Sequence, residues 1–174
     1  MYVQNIVATA KTNRCFNLET LYNVMENNGV SPSKRDRWLS IRLKGSNQYI
    51  AFYKSGKFLI AGVKSEKEIE ATVKRVAKTL YEMGIKIEIE NIEIHNVIVM
   101  EQFVLSQSLE NIQISLLNSA DVSFEPEVFP GLIYKGDRAT FLLFSSGKVI
   151  CTGCKSLEIA EIEIKKFKNK IKNL

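Results

Sequence analysis

Apolar residues recur at helical spacing in two long stretches. Ile69, Val73, Val76, Leu80 and Met83 fall four, three, four and three residues apart, which predicts one apolar side of an amphipathic helix. Ala160, Ile164, Phe167, Ile171 and Leu174 repeat that spacing. Ser65 with Glu68 reads as a capping box opening the first of these helices. Ser156 stands in the equivalent place, with Glu158 in the first turn, where a carboxylate is favourable. Shorter helices are predicted at Leu18, Leu21 and Met25, capped by Asn17, and at Leu109, Ile112 and Leu116, capped by Ser108. The remaining segments read as strands. Gln4 to Ala10 alternates, with Asn5, Val7 and Thr9 on one face. Tyr49 to Tyr53 and Lys57 to Val63 flank the turn signal Lys54-Ser55-Gly56, and Phe141 to Phe144 and Lys148 to Cys154 flank Ser145-Ser146-Gly147. Glu88, Glu90 and Glu93 interleave with Ile87, Ile89, Ile92 and Ile94, which reads as an exposed strand or crossover rather than a catalytic carboxylate pair.

The two sets of elements are copies. Ser55-Gly56-Lys57 returns as Ser146-Gly147-Lys148, Asn5 as Asn96, and Gly62 with Lys64 as Gly153 with Lys155, all about 91 residues apart. Each half reads as strand, short helix, several antiparallel strands, long helix. No Pro/Gly/Ser-rich linker lies between Gly84 and Ile94. The expected fold is α+β, with repeats over 1–91 and 92–174 and the two long helices on one face of a continuous curved antiparallel sheet. The other face is then solvated or functional.

Composition narrows the chemistry. The 174 residues are 45% hydrophobic and 25% charged, with a net charge of +5 and a pI of about 9.0. A modest basic excess favours a polyanionic partner without identifying one. No apolar run approaches the roughly 20 residues of a membrane span, and the N-terminal residues do not read as a secretory signal. Three cysteines argue for a reducing compartment. A single histidine, His95, disfavours His-based metal sites and Ser-His-Asp chemistry. Cys151-Thr152-Gly153-Cys154 is a CxxC motif, but it ends a predicted strand instead of opening a helix, the setting that activates such thiols. It reads as strand filler, and without a second cysteine pair it is no four-Cys zinc site. Lys165-Lys166-Phe167-Lys168-Asn169-Lys170 reads as the solvated side of the last helix.

Several stretches carry a resemblance. The second half contains Phe124-Glu125-Pro126-Glu127-Val128-Phe129-Pro130-Gly131-Leu132-Ile133-Tyr134, then Leu142-Leu143-Phe144-Ser145-Ser146-Gly147-Lys148-Val149-Ile150-Cys151-Thr152-Gly153. The first contains Gln4-Asn5-Ile6-Val7-Ala8-Thr9 and Lys54-Ser55-Gly56-Lys57. Together these resemble the TATA-box-binding protein family over essentially the whole chain, in the archaeal form that lacks a long N-terminal extension. The resemblance implies a saddle-shaped sheet with its long helices on the convex face. It also implies a general transcription initiation factor without enzymatic activity, cofactor or metal. Such a factor binds and bends double-stranded promoter DNA through the minor groove, binds transcription factor B, and reaches RNA polymerase indirectly. The implied location is the cytoplasm, with the nucleoid, for an archaeal source and the nucleus for a eukaryotic one. A large exposed apolar face further predicts a homodimer without DNA.

The resemblance also assigns residues. Asn5, Val7, Thr9 and Leu59, with Asn96, Ile98, Leu142, Ile150 and Thr152, match the groove-facing positions. Lys57, Lys148, Arg42 and Lys135 match phosphate contacts, which make binding salt-sensitive. Phe129, followed by Pro130, and Phe144 match two aromatic wedges; this family is itself a standard example of minor-groove kinking. Glu125 and Glu127 match the loop that holds transcription factor B, where the first half carries Lys34 and Arg35. The first half departs from the pattern at its wedges. Tyr53 replaces a phenylalanine, and alignment back from Arg42 puts Asp36 at the other position. Either Trp38 substitutes there or that half kinks DNA less. The departures keep open a diverged module of the same fold, binding other nucleic acid or protein.

Overall fold

A computed structural model describes residues 1–46, 48–117 and 121–174. Its elements run β1 (Tyr2–Thr12), α1 (Leu18–Asn27), β2 (Ser33–Lys34), β3 (Trp38–Arg42), β4 (Tyr49–Tyr53), β5 (Lys57–Val63) and α2 (Glu66–Glu82). They continue with β6 (Ile89–Gln102), α3 (Leu109–Leu116), β7 (Asp121–Ser123), β8 (Gly131–Lys135), β9 (Thr140–Phe144), β10 (Lys148–Cys154) and α4 (Leu157–Lys172). The chain forms two compact units, Asn5–His95 and Met1–Gln4 with Asn96–Leu174. β1 and β6 each run through both.

In the first unit, hydrogen-bonded strands follow the order β2-β3-β4-β5-β1, and in the second β6-β10-β9-β8-β7. The resolved ladders are antiparallel. In each unit one sheet face is packed with apolar side chains. Leu39, Phe52 and Phe58 are fully buried in the first, with Phe16 edge-on to Phe52 at 5.5 Å. In the second, Phe167 of α4 stacks on Phe141 at 4.4 Å and on Tyr134 at 4.9 Å. In the second unit these contacts put α4 against that face. In the first, α1 packs against β3 and α2 against β5 through their buried sides, Leu21 and Met25 in one and Ile69, Val76 and Leu80 in the other. The opposite faces carry no helix.

All four caps form as the sequence predicts. Asn17 accepts from the amides of Glu19 and Thr20, Ser65 from Glu68, Ser108 from Asn111 and Ser156 from Ile159. The Glu68 carboxylate reaches back to the amide of Lys64, one residue before the cap, at 2.7 Å. The long apolar stripes hold except at their last members. Met83 is the C-cap of α2, and Leu174 lies beyond α4 and is exposed. Glu163 of α4 is buried and pairs with Lys166 at 2.8 Å; the apolar pattern had no place for it. Both hairpin turns need glycine. Gly56 and Gly147 have φ of 80°, and a Cβ would stand 2.2 Å from the Arg14 carbonyl oxygen in one and 2.1 Å from that of Phe103 in the other.

Candidate nucleic-acid interface

Cross-strand register shows which side chains share each helix-free face, because directly paired residues point the same way. In the first unit the pairs Trp38 with Tyr53, Ser40 with Ala51, and Arg42 with Tyr49 run from β3 to β4. Ala51 then pairs with Leu59, Tyr49 with Ala61, and Leu59 with Thr9. In the second unit the matching pairs are Gly131 with Phe144, Ile133 with Leu142, and Lys135 with Thr140. Leu142 then pairs with Ile150, Thr140 with Thr152, and Ile150 with Met100.

The residues singled out from the sequence fall on these faces. Asn5, Val7, Thr9, Tyr53, Leu59, Asn96, Ile98, Phe129, Leu142, Phe144, Ile150 and Thr152 are all half-exposed. Arg42, Lys57, Pro130, Lys135 and Lys148 are exposed at the margins. Arg42 lies over the Tyr49 ring at 5.8 Å, and Lys135 pairs with Asp121 at 3.0 Å. Ser40, Tyr49, Ala51, Ala61, Met100, Ile133 and Thr140 share the faces and were missed. Counting registers outward from the two hairpin turns would have found those on β4, β5 and β9.

Each asparagine is locked by a strand irregularity. The ladder slips between Ile6 and Ala8 in the first unit and between Cys151 and Cys154 in the second. Beside each slip stands a left-handed glycine, Gly62 with φ 88° and Gly153 with φ 94°. The Gly62 amide donates to Asn5 Oδ1 at 2.7 Å, and the Gly153 amide to Asn96 Oδ1 at 2.8 Å. The acceptor end of each amide is thereby occupied and its Nδ2 donor presented. Asn96 Nδ2 also meets Thr152 Oγ1 at 3.1 Å; Asn5 Nδ2 has no such partner among the described residues. Donors of this kind suit a minor groove, whose A·T pairs expose only acceptors.

An aromatic pair stands at the end of each face. Phe129 and Phe144 meet at 5.8 Å and 64°. Gly131 makes this possible, since a Cβ there would lie 2.7 Å from Phe129 Cε1 and 3.1 Å from Phe144 Cε1. In the first unit Trp38 itself occupies the register position of that glycine, and its ring meets Tyr53 at 6.5 Å and 47°. Asp36 is exposed in the turn closed by the Arg35 amide on the Trp38 carbonyl at 2.9 Å. The ring partner of Tyr53 is therefore Trp38, supplied from a different register position.

The Glu125 and Glu127 side chains are exposed. Their loop is ordered by the Glu125 carbonyl, which accepts from the amides of Val128 and Phe129, both at 2.9 Å. The corresponding first-unit loop between β2 and β3 is short, and Lys34 just before it pairs with Glu19. The CxxC thiols are buried, 3.8 Å apart. Burial pushes both Cys151 and Cys154 up, away from the thiolate form. No group of three or more metal-ligating side chains occurs among the described residues, and no helix is long and apolar enough to cross a membrane.

Comparison with known proteins agrees with this geometry. The family model described as transcription factor TFIID, or TATA-binding protein, matches residues 1–83 and 91–174. The chain belongs to the TATA-binding protein family. It is 32% identical to the TATA-box-binding protein of Methanocaldococcus jannaschii, over 99% of this chain and 93% of that one. It is also 32% identical to that of Sulfolobus acidocaldarius, over 99% and 87%. The solved structure of the Methanococcus jannaschii member superposes with a TM-score of 0.84 at 30% identity, covering 99% of this chain and 98% of that one. The family is one of transcription factors and not of enzymes.

Proposed function

We propose that this chain is a general transcription initiation factor that binds TATA-box DNA through the minor groove and bends it. The observation that carries this reading is the repeated pairing, on each helix-free face, of one locked asparagine with one terminal aromatic pair. The amides offer donors to the groove floor. The aromatic pairs, Phe129 with Phe144 and Trp38 with Tyr53, are placed to insert between base steps and kink the duplex. Lys57, Lys148, Arg42 and Lys135 neutralise phosphates on either side. Without DNA, the same apolar groups pair two copies of the chain.

Competition binding tests the reading. A TATA-containing duplex should outcompete a scrambled duplex of equal length, and a small-molecule minor-groove binder should displace the protein. Equal binding to both duplexes, indifferent to that competitor, would favour a diverged module acting on another partner.

Glu125 and Glu127 supply the acidic surface for transcription factor B, through which RNA polymerase is recruited. Reversing both charges, Glu125→Arg with Glu127→Arg, should abolish the ternary complex in a mobility-shift assay while binary DNA binding survives. A folded variant that loses both activities together would contradict the assignment.

A further inference from the structure

The two units do not present the same chemistry at the middle of their helix-free faces. In the second, the row read across β8, β9, β10 and β6 is Ile133, Leu142, Ile150 and Met100. All four are large and apolar, and the one weak acceptor, Met100 Sδ, already receives the Tyr2 hydroxyl at 3.2 Å. In the first, the corresponding row across β3, β4, β5 and β1 is Ser40, Ala51, Leu59 and Thr9. Two hydroxyls and one methyl replace three large apolar groups.

Ser40 is only 7% exposed and Ala51 only 1%, although neither faces a helix. Taller neighbours on the same face therefore wall them into a recess. Ser40, with Trp38, Arg42 and Tyr49, also borders one end of a cavity that continues round the sheet edge past Ser33 to Arg75 and Thr79 of α2. Its hydroxyl donates weakly to the Ser33 carbonyl at 3.4 Å, and Thr9 Oγ1 shares a hydrogen bond with His95 Nε2 at 2.8 Å. A hydroxyl oxygen has two lone pairs, so each retains acceptor capacity.

In the minor groove, a G·C pair differs from A·T by the exocyclic amino group of guanine, a protruding donor. Against Ile133, Leu142, Ile150 and Met100 that donor would be buried without a partner, which is costly. Against Ser40, Ala51 and Thr9 it finds room and acceptors. We infer that the first unit accepts G·C pairs in the half-site it covers, whereas the second requires A·T. The site read is then asymmetric in composition, and G·C content in one half orients the protein. This inference rests on the minor-groove reading proposed above.

Cys15 makes the orientation measurable. It is exposed, whereas Cys151 and Cys154 are buried, so an iron chelate coupled to the native thiol marks the first unit. Four duplexes suffice: all A·T, G·C in the left half, G·C in the right half, and G·C in both. The two single-half duplexes should bind within about threefold of the all-A·T site, and cleavage should fall on the G·C half whichever side it occupies. G·C in both halves should cost about tenfold or more, the usual scale of a mismatched pair. Cleavage that ignores the position of the G·C pairs, or falls opposite them, overturns the inference. The double variant Ser40→Ile with Ala51→Leu should erase the cleavage bias between the two single-half duplexes, read as a ratio that does not depend on its overall affinity. Should it not fold, the wild-type cleavage pattern decides alone. If the all-A·T duplex fails to outbind a scrambled one, the minor-groove reading itself falls; if it succeeds with unbiased cleavage, only the present inference does.

Discussion

Asn5 and Asn96 each have one end of the amide fixed and the other offered outward. The fixed end accepts from a glycine amide, Gly62 or Gly153. Aspartate at either site keeps that acceptor and removes the donor. Asn96→Asp and Asn5→Asp should therefore leave thermal stability nearly unchanged and weaken DNA binding by about tenfold or more, since an unmade hydrogen bond and a carboxylate near phosphates add together. Unchanged affinity in a titration would remove the asparagines from the interface. The thiols separate as sharply. Burial raises Cys151 and Cys154, so at pH 8 they stay protonated and unreactive. A maleimide should label one thiol per native chain, at Cys15, and three after denaturation; rapid native labelling of the CxxC pair would contradict the buried assignment. The asparagines were legible because their copies lie at a constant separation with the same neighbours. Trp38 was legible only as one of two alternatives. The first-unit connection from Arg42 to Tyr49 is longer than the second-unit connection from Lys135 to Thr140, so alignment through Arg42 and Lys135 disagrees with alignment through Tyr53 and Phe144. The ladder pairing of Trp38 with Tyr53 resolves this.

At the scale of elements, glycines that look alike do different work. Gly147 turns the β9–β10 hairpin in a left-handed conformation, and a Cβ there meets the Phe103 carbonyl oxygen, which is backbone. Gly147→Ala should cost about 2 kcal/mol or more in chemical denaturation. Gly131 has no such φ, and its Cβ would meet the Phe129 ring, a side chain that can turn aside. Gly131→Ala should cost under about 1 kcal/mol yet reduce DNA bending, because the aromatic pair is displaced. Equal stability losses in both would show that the Phe129 ring is held rigidly. The helices and their caps were plain in the sequence, since a 3.6-residue period and a following cap signal are local. The face residues of β3, β4, β8 and β9 were not. These strands have five residues each and most carry apolar residues on both faces, as in Tyr49–Tyr53, so alternation over so short a run gives no secure side. Ser40 and Ala51 are buried on the helix-free face for want of size, which only register reveals.

For the whole molecule, duplication gives each unit the same scaffold: locked asparagine, aromatic pair, lysine at the hairpin, capped long helix. Divergence is confined to what the scaffold presents. One unit carries phenylalanines beside a glycine, an acidic ordered loop and an apolar middle row. The other carries a tryptophan–tyrosine pair, a short basic loop and a hydroxyl-bearing row. Two like scaffolds that present unlike chemistry are suited to an oriented complex on DNA. The central claim is that these faces together bend a TATA duplex, and fluorescence energy transfer between dyes at the two ends of such a duplex tests it most directly. The account predicts a large rise in transfer on binding the TATA duplex, a smaller rise for Trp38→Ala and for Phe129→Ala, and little change with a scrambled duplex. Binding without any rise in transfer on the TATA duplex would contradict it.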